Sequence, residues 1–257
     1  MDFDALMKVA EHAANAGADI VRANFGRARD VRAKGPGDWV SEADLASESA
    51  VREILDRESS FPVRGEEAGG AVDDTGWLVD PLDGTANFVH GFDAVGVSVG
   101  LIQNGVPILG VVVAPMLGRT YAAAHGLGAR RNGEPIRASS RDPERAIVAT
   151  GFPFRHKEQL ARYEPVMVRA LRRFEDLRRA GAASLDLCWT AEGVFDGYFE
   201  LSLGPWDVAA GALILREAGG VVTDWEGDDR AWLRTGNILA APPKVHETLL
   251  EIASSTN

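Results

Sequence analysis

From Ala94 to Leu117 the chain runs for 24 residues without a charge. Such a run is long enough to cross a bilayer as a helix. Its internal pattern points elsewhere. Val95, Val97, Val99 and Leu101 alternate with smaller residues, and Val106, Ile108 and Val111 to Val113 follow. Asn104-Gly105 stands between the two halves. Both residues tolerate positive φ, which makes the pair a strong signal for a tight hairpin. Pro107, Pro115 and the interior glycines oppose a helix. The segment predicts two antiparallel strands buried in a sheet.

Helical spacing flanks this hairpin. Phe3, Leu6, Val9, Ala13, Ala16 and Ile20 predict a helix over residues 3 to 25, with Gly26 as its stop. Ser41-Glu42-Ala43-Asp44 resembles a capping box and opens a second helix with Leu45, Val51, Ile54 and Leu55 on its apolar face. Lys34-Gly35-Pro36-Gly37-Asp38 is a turn-rich loop between them. Short strands are expected at 61–63, 77–79, 119–124, 194–201, 221–223 and 237–241. Helices are expected at 158–175, 182–192 and 206–218, and after Pro242-Pro243. Helices and strands mix throughout, which predicts a layered α/β or α+β fold with a mixed sheet. No repeat or long linker divides the chain.

The charge balance narrows the partners. Lys and Arg number 27 and Asp and Glu 38, so the net charge is 27 − 38 = −11. That argues against a nucleic-acid binder, which needs a basic face. From Arg155 to Arg179 there are eight basic residues against four acidic ones. Without interleaved aromatics, this stretch reads as the solvated face of a helix. The single cysteine, Cys188, fits a reducing cytoplasm and a place in the core. The N-terminus, Met1-Asp2-Phe3-Asp4, lacks the basic and apolar regions of a signal peptide.

Chemistry concentrates in three acidic groups beside glycines. They are Gly65-Glu66-Glu67, Asp80-Pro81-Leu82-Asp83-Gly84-Thr85 and Trp206-Asp207-Val208-Ala209-Ala210-Gly211. A buried strand is expected to end at Asp80, with Pro81 forcing a turn. Hard cations such as Mg²⁺ take oxygen ligands of this kind. Two carboxylates about 4 Å apart repel by roughly 4 kcal/mol at an effective dielectric near 20, so a cluster calls for protons or a cation. Gly84-Thr85 at a helix start offers free N–H groups to a phosphate. Carboxylates for metal beside amides for phosphate make up a metal-dependent phosphatase, in which two ions activate water and clamp phosphoryl oxygens.

These three motifs, with Asn87-Phe88, stand in the order found in the inositol monophosphatase family, which the chain resembles over nearly its whole length. Thr150-Gly151-Phe152-Pro153-Phe154 and Arg178-Arg179-Ala180-Gly181 look most like its bacterial SuhB branch. The resemblance implies an αβαβα sandwich with mixed sheets. It implies one domain over 1–257, built of two interlocked halves at about 1–150 and 151–257 with the metal site between. It implies two to three Mg²⁺ ions and lithium sensitivity. Glu66, Asp80 and the Leu82 carbonyl would hold the first ion, and Asp80, Asp83 and Asp207 the second. A third would sit near Glu66. Thr85, oriented by Asp44, would help activate water beside Glu66. The amides of Gly84 and Thr85 would receive the phosphate. Gly181, Ala183, Glu200 and Asp83 would face the polyol, with Asp207 between metal and substrate. The protein is expected to be a cytoplasmic homodimer acting on a small phosphate ester, with no membrane or nucleic-acid partner. One departure stands out. Many relatives carry a hydroxyl residue immediately after the glycine matching Gly181, where this chain has Ala182 and a displaced Ser184.

Inositol 1-phosphate is the first substrate expected. Fructose 1,6-bisphosphate, histidinol phosphate and adenosine 3′,5′-bisphosphate are handled by relatives with the same metal motifs. The discriminating loops lie around 34–38, 155–165 and 181–200. An aspartyl-phosphate mechanism of the haloacid-dehalogenase type is disfavoured, because Pro81 and Leu82 put two residues between the aspartates where that motif has one. A dinucleotide fold lacks its glycine fingerprint. A phosphatase-like regulatory binding protein is the non-enzymatic alternative, against which the intact acidic motifs argue.

Overall fold

A computed structural model describes residues 1–35 and 38–254, with the side chain of Asp38 outside that description. Pro36 and Gly37, the centre of the expected loop, therefore lie outside the described residues. The elements in chain order are α1 (Phe3–Asn24), β1 (Arg32–Gly35), β2 (Asp38–Val40), α2 (Glu42–Glu58), β3 (Val63–Gly65), β4 (Gly76–Asp83) and α3 (Thr85–His90). Then follow β5 (Gly96–Gln103), β6 (Val106–Ala114), β7 (Arg119–Ala124), β8 (Ala129–Arg131), β9 (Glu134–Pro135) and β10 (Ile147–Thr150). The second half holds α4 (Leu160–Arg173), β11 (Asp176–Arg178), α5 (Ala183–Ala191), β12 (Gly197–Glu200) and α6 (Pro205–Glu217). It ends with β13 (Val221–Thr223), α7 (Trp232–Thr235), β14 (Ile238–Ala241) and α8 (Pro243–Ser254).

The charge-free run forms the middle of a seven-stranded sheet ordered β3-β4-β5-β6-β7-β8-β9. Strands β5 and β6 pair antiparallel across Asn104 (φ 51°) and Gly105 (φ 73°), the left-handed pair that a two-residue hairpin needs. Both strands are buried along most of their length. A second sheet runs β11-β10-β12-β14-β13. Its first three strands are parallel and its last two pair antiparallel, so it is mixed.

Three apolar clusters bind these sheets into five layers. α1 and α2 cover one face of the large sheet, with Trp77, Phe88 and Val97 in the cluster beneath them. α5 and α6 fill the space between the sheets, through Leu185, Leu187, Cys188, Leu213 and Ile214. α4 and α8 cover the outer face of the small sheet, through Tyr163, Phe199, Trp225 and Leu249. The order is helices, sheet, helices, sheet, helices, as expected.

α6 fits between two sheets because its contact residues are small. Gly100 of β5 and Gly110 of β6 are register partners. A Cβ on Gly110 would lie 2.8 Å from Ala210 Cα, and one on Gly100 would lie 3.1 Å from Ala209 Cβ. The paired glycines form a notch in which the Ala209-Ala210 backbone rests. On the other side, a Cβ on Gly211 would lie 2.8 Å from Leu187 Cβ of α5. α6 is thus seated at backbone distance on both neighbours, which places Asp207 in its first turn with little freedom.

Candidate active site

The Gly65-Glu66-Glu67 turn is held from below by Glu48 of α2, which is 2% exposed. Glu48 accepts hydrogen bonds from the Glu67 amide (2.8 Å), the Ala68 amide (3.1 Å) and Arg52 Nε (2.7 Å). A Cβ on Gly65 would fall 2.1 Å from Glu48 Oε1, so only glycine leaves room for that carboxylate. The turn then carries Glu66 into the cleft.

The Asp80–Asp83 segment differs from the expected turn. β4 continues through Pro81 to Asp83. Asp80 opposes Ser98 and Asp83 opposes Gly96, so three steps along β4 match two along β5. Residues three apart on an unbroken strand face opposite sides. The bulge cancels that alternation and turns both aspartates to the same face. Pro81 is tolerated there because the bulge interrupts the ladder that its missing N–H could not join.

Asp83 reaches across to α5. It accepts the Ala183 amide (3.2 Å), the Ser184 amide (2.7 Å) and Ser184 Oγ (2.5 Å). The displaced serine therefore hydrogen-bonds Asp83, whose carboxylate is tied to the start of α5. Asp207, in the first turn of α6, accepts the Gly204 amide on Oδ2 at 2.7 Å. Asp80 Oδ1 accepts the Leu82 amide at 3.0 Å.

Glu66, Asp80 and Asp207 bring carboxylate oxygens within 4.8 Å of one another. Burial raises the pKa of Asp80 well above the usual range, and the charges of Glu66, Asp83 and Asp207 add to it. Burial, then Glu66 and Asp83, raise Asp207 in the same way. Burial also raises Glu66, opposed by Lys34 and Arg155. Asp83 is pushed up to about 6 by burial, although the Ser184 hydrogen bonds pull it down. The all-oxygen donor set and its crowded, desolvated charge fit a hard divalent cation.

Thr85 Oγ1 lies 2.9 Å from Asp44 Oδ1 and 3.1 Å from the Leu82 carbonyl oxygen. Asp44 is fully buried behind Thr85, off the cleft wall, and accepts the Ser41 amide (2.9 Å) and Ser41 Oγ (2.6 Å) on Oδ2. The resemblance to a capping box thus corresponds to a bond in which Asp44 also orients the threonine. Gly84 caps α3 with φ 86°, and a Cβ there would meet the Ala94 carbonyl oxygen at 2.8 Å. Gly84, Thr85 and Ala86 at this helix start line the cleft.

Glu66, Asp80, Leu82, Asp83, Gly84, Thr85, Gly181, Ala183, Glu200 and Asp207 all line one cleft. Glu200 is pushed up to about 7, chiefly by burial and against the Tyr198 hydroxyl that donates to it. Gly151 makes room for it, since a Cβ there would fall 1.9 Å from the Glu200 carboxyl carbon. The basic stretch 155–179 requires a correction. Its middle is α4, but its ends, Arg155 and Arg179, line the cleft, and Arg179 lies 5.6 Å over the Phe154 ring. Arg155 falls in the 155–165 loop expected to discriminate substrates, but its place beside Arg179 is not readable from sequence, because a helix separates the two and they meet only in the folded chain. Lys34 opens the 34–38 loop expected to discriminate substrates, but its partners are not readable from sequence. Its ammonium lies 3.3 Å from Glu66 and contacts Glu67. No local pattern marks a lone lysine as a partner 32 residues away.

Comparison with known proteins agrees with this geometry. A sequence profile of the inositol monophosphatase family matches residues 2–257. The chain is 43% identical over 225 residues to the putative Nus factor SuhB of Neisseria meningitidis serogroup B, covering 85% of each. It is 38% identical over 255 residues to the fructose-1,6-bisphosphatase/inositol-1-monophosphatase of Aquifex aeolicus, covering 96% of this chain and 94% of that one. The crystal structure of the extragenic suppressor protein suhB from Bartonella henselae superposes with a TM-score of 0.93 at 33% identity, over 98% of this chain and 100% of the other. Five such layers around a carboxylate-floored cleft are a fold of the inositol monophosphatase type. The chain belongs to the inositol monophosphatase family.

Proposed function

We propose that this chain is a Mg²⁺-dependent phosphomonoesterase for a small polyol or sugar phosphate, with inositol 1-phosphate as first substrate. The observation that carries this reading is the convergence of Glu66, Asp80 and Asp207 within 4.8 Å in a cleft that the start of α3 also lines. Glu66, Asp80 and the Leu82 carbonyl would hold one ion, and Asp80, Asp83 and Asp207 a second, with a third near Glu66. An ion held there would supply Lewis-acid charge for the phosphoryl oxygens and for an attacking water. Thr85, held by Asp44, orients that water with Glu66 nearby. The Gly84 and Thr85 amides receive the phosphate, and Asp83, Glu200, Gly181 and Ala183 orient the polyol. We further infer one domain of two interlocked halves, a homodimer, a cytoplasmic site of action and inhibition by lithium.

Arg155 and Arg179 on the cleft wall favour a second reading, a bisphosphate whose distal phosphate they would take. The name of the Aquifex relative points the same way. Release of phosphate from inositol 1-phosphate, fructose 1,6-bisphosphate, histidinol phosphate and adenosine 3′,5′-bisphosphate, ranked by kcat/KM with Mg²⁺, separates these. Release no faster than background from all four would leave the regulatory-protein reading, which the Neisseria relative's name supports.

A further inference from the structure

A second cleft opens behind the elements that carry the metal carboxylates. It holds about 740 Å³, against about 120 Å³ for the catalytic cleft, and lies in the range of sites for small organic ligands. Both ends of α6 border it, at Pro205 and Arg216. Thirteen residues of helix give it a length of about 20 Å. Val106 is the exposed apolar side chain of its lining, over the buried Val72, Leu78, Ile102 and Trp232.

Four arginines border this cleft: Arg64, Arg216, Arg230 and Arg234. Among the described residues none of them is ion-paired, whereas Arg52, Arg119, Arg131 and Arg141 all are. Two are held in place by rings and carbonyls and not by an ion pair. Arg64 lies 5.2 Å over the Trp206 ring. Arg216 lies 5.3 Å over Trp232, and its Nη2 donates to the carbonyls of Val222 (2.9 Å) and Asp229 (2.8 Å). Asp73, Asp74 and Asp229 also border the cleft, which leaves 4 − 3 = +1 there in a chain whose total is −11. Pre-positioned guanidinium groups over an apolar floor suit an anion with a planar, weakly polar body.

We propose that this cleft is a binding site for a nucleoside phosphate, distinct from the catalytic cleft. The base lies on the apolar floor and the phosphates meet the arginines. The two clefts are linked through neighbouring residues of the chain. Arg64 immediately precedes Gly65-Glu66, and the Trp206 on which it lies immediately precedes Asp207.

Because phosphates also suit the catalytic cleft, the test separates the two. ADP is titrated calorimetrically into the full chain in EDTA. Three forms are compared: the wild type, Arg230→Ala/Arg234→Ala and Arg155→Ala/Arg179→Ala. Arg230 and Arg234 are exposed, so their loss leaves the fold intact. The expected result is one-to-one binding, weakened tenfold or more by the 230/234 change and altered less than twofold by the 155/179 change. Absence of binding by ADP, GDP and pyrophosphate would overturn the proposal. So would binding that survives the 230/234 change.

Discussion

Asp207 does two things at once. Its Oδ2 fixes the start of α6 through the Gly204 amide, and its carboxylate completes the cluster with Glu66 and Asp80. Asparagine keeps the hydrogen bond and removes the charge. Asp207→Asn is therefore expected to lower kcat at least about a hundredfold while circular dichroism stays unchanged. Near-normal turnover would remove Asp207 from the site. Glu200 carries a pH dependence. Its folded pKa of about 7 lies above the unfolded value, so the folded chain holds this proton more tightly. Its contribution is fully present below the unfolded pKa, near 4.5, and is lost as pH rises through about 7. Glu200→Gln should thus stabilise the metal-free protein by about 1 kcal/mol or more at pH 8 and by almost nothing at pH 4. Denaturant melts at the two pH values check this; equal effects at both would contradict it. The acidic motifs were legible at this scale, because their short spacings are themselves the signal. Glu48, Lys34 and Tyr198 were not, since each matters only through a partner brought near by folding.

At the scale of elements, two devices decide the site. One is the notch of Gly100 and Gly110 under α6. A methyl group at 110 must push the helix outward, because what it meets is Ala210 backbone and not a flexible side chain. Gly110→Ala is expected to cost about 1–3 kcal/mol by overpacking, read as a lower denaturant midpoint. It should also weaken Mg²⁺ binding, read by calorimetry, because Asp207 rides on the displaced helix. A loss of stability with Mg²⁺ affinity unchanged would show that α6 does not set the carboxylate's position. The other device is the bulge in β4. The hairpin was readable from Asn104-Gly105, and most helices from their apolar spacing. The turn expected at Pro81 was not found, because proline tells of a missing N–H and not of how the partner strand answers it. The short strands β8 to β11 were likewise unmarked. Two to four residues carry too little periodicity to separate them from loop.

At the scale of the whole molecule, the site is a point of stored repulsion. Buried carboxylates from the β3–β4 region and from α6 face one another, and their pKa values are all raised. A divalent cation that binds only the folded chain stabilises it by about 2.7 kcal/mol at a hundred times its dissociation constant. The melting temperature should therefore rise with Mg²⁺ at pH 8 and return to its starting value with EDTA. A melting temperature indifferent to Mg²⁺ at millimolar concentration would speak against a metal site. The net charge of −11 has a local meaning as well. Five carboxylates against Arg155 and Arg179 leave the catalytic cleft at 2 − 5 = −3, whereas four arginines against three aspartates leave the second at +1, so only the second is more basic than the molecule around it. No described helix is long and apolar enough to cross a membrane, and the charge-free run is sheet.

By itself, the sequence determined the elements whose signals lie within a few residues: the hairpin, the helix beginning at Ser41 and the three acidic motifs. Those motifs were enough to reach the family. Tertiary structure alone decided how they combine. Asp83 and Ser184 are 101 residues apart and share a hydrogen bond. Asp207 meets Glu66 and Asp80 only because small residues let α6 sink onto the sheet. The reason is one of range. Dihedral preference and side-chain periodicity act over one or two turns of chain. The distances between carboxylates are set by how closely separate layers pack, and that depends on residues far from the motifs.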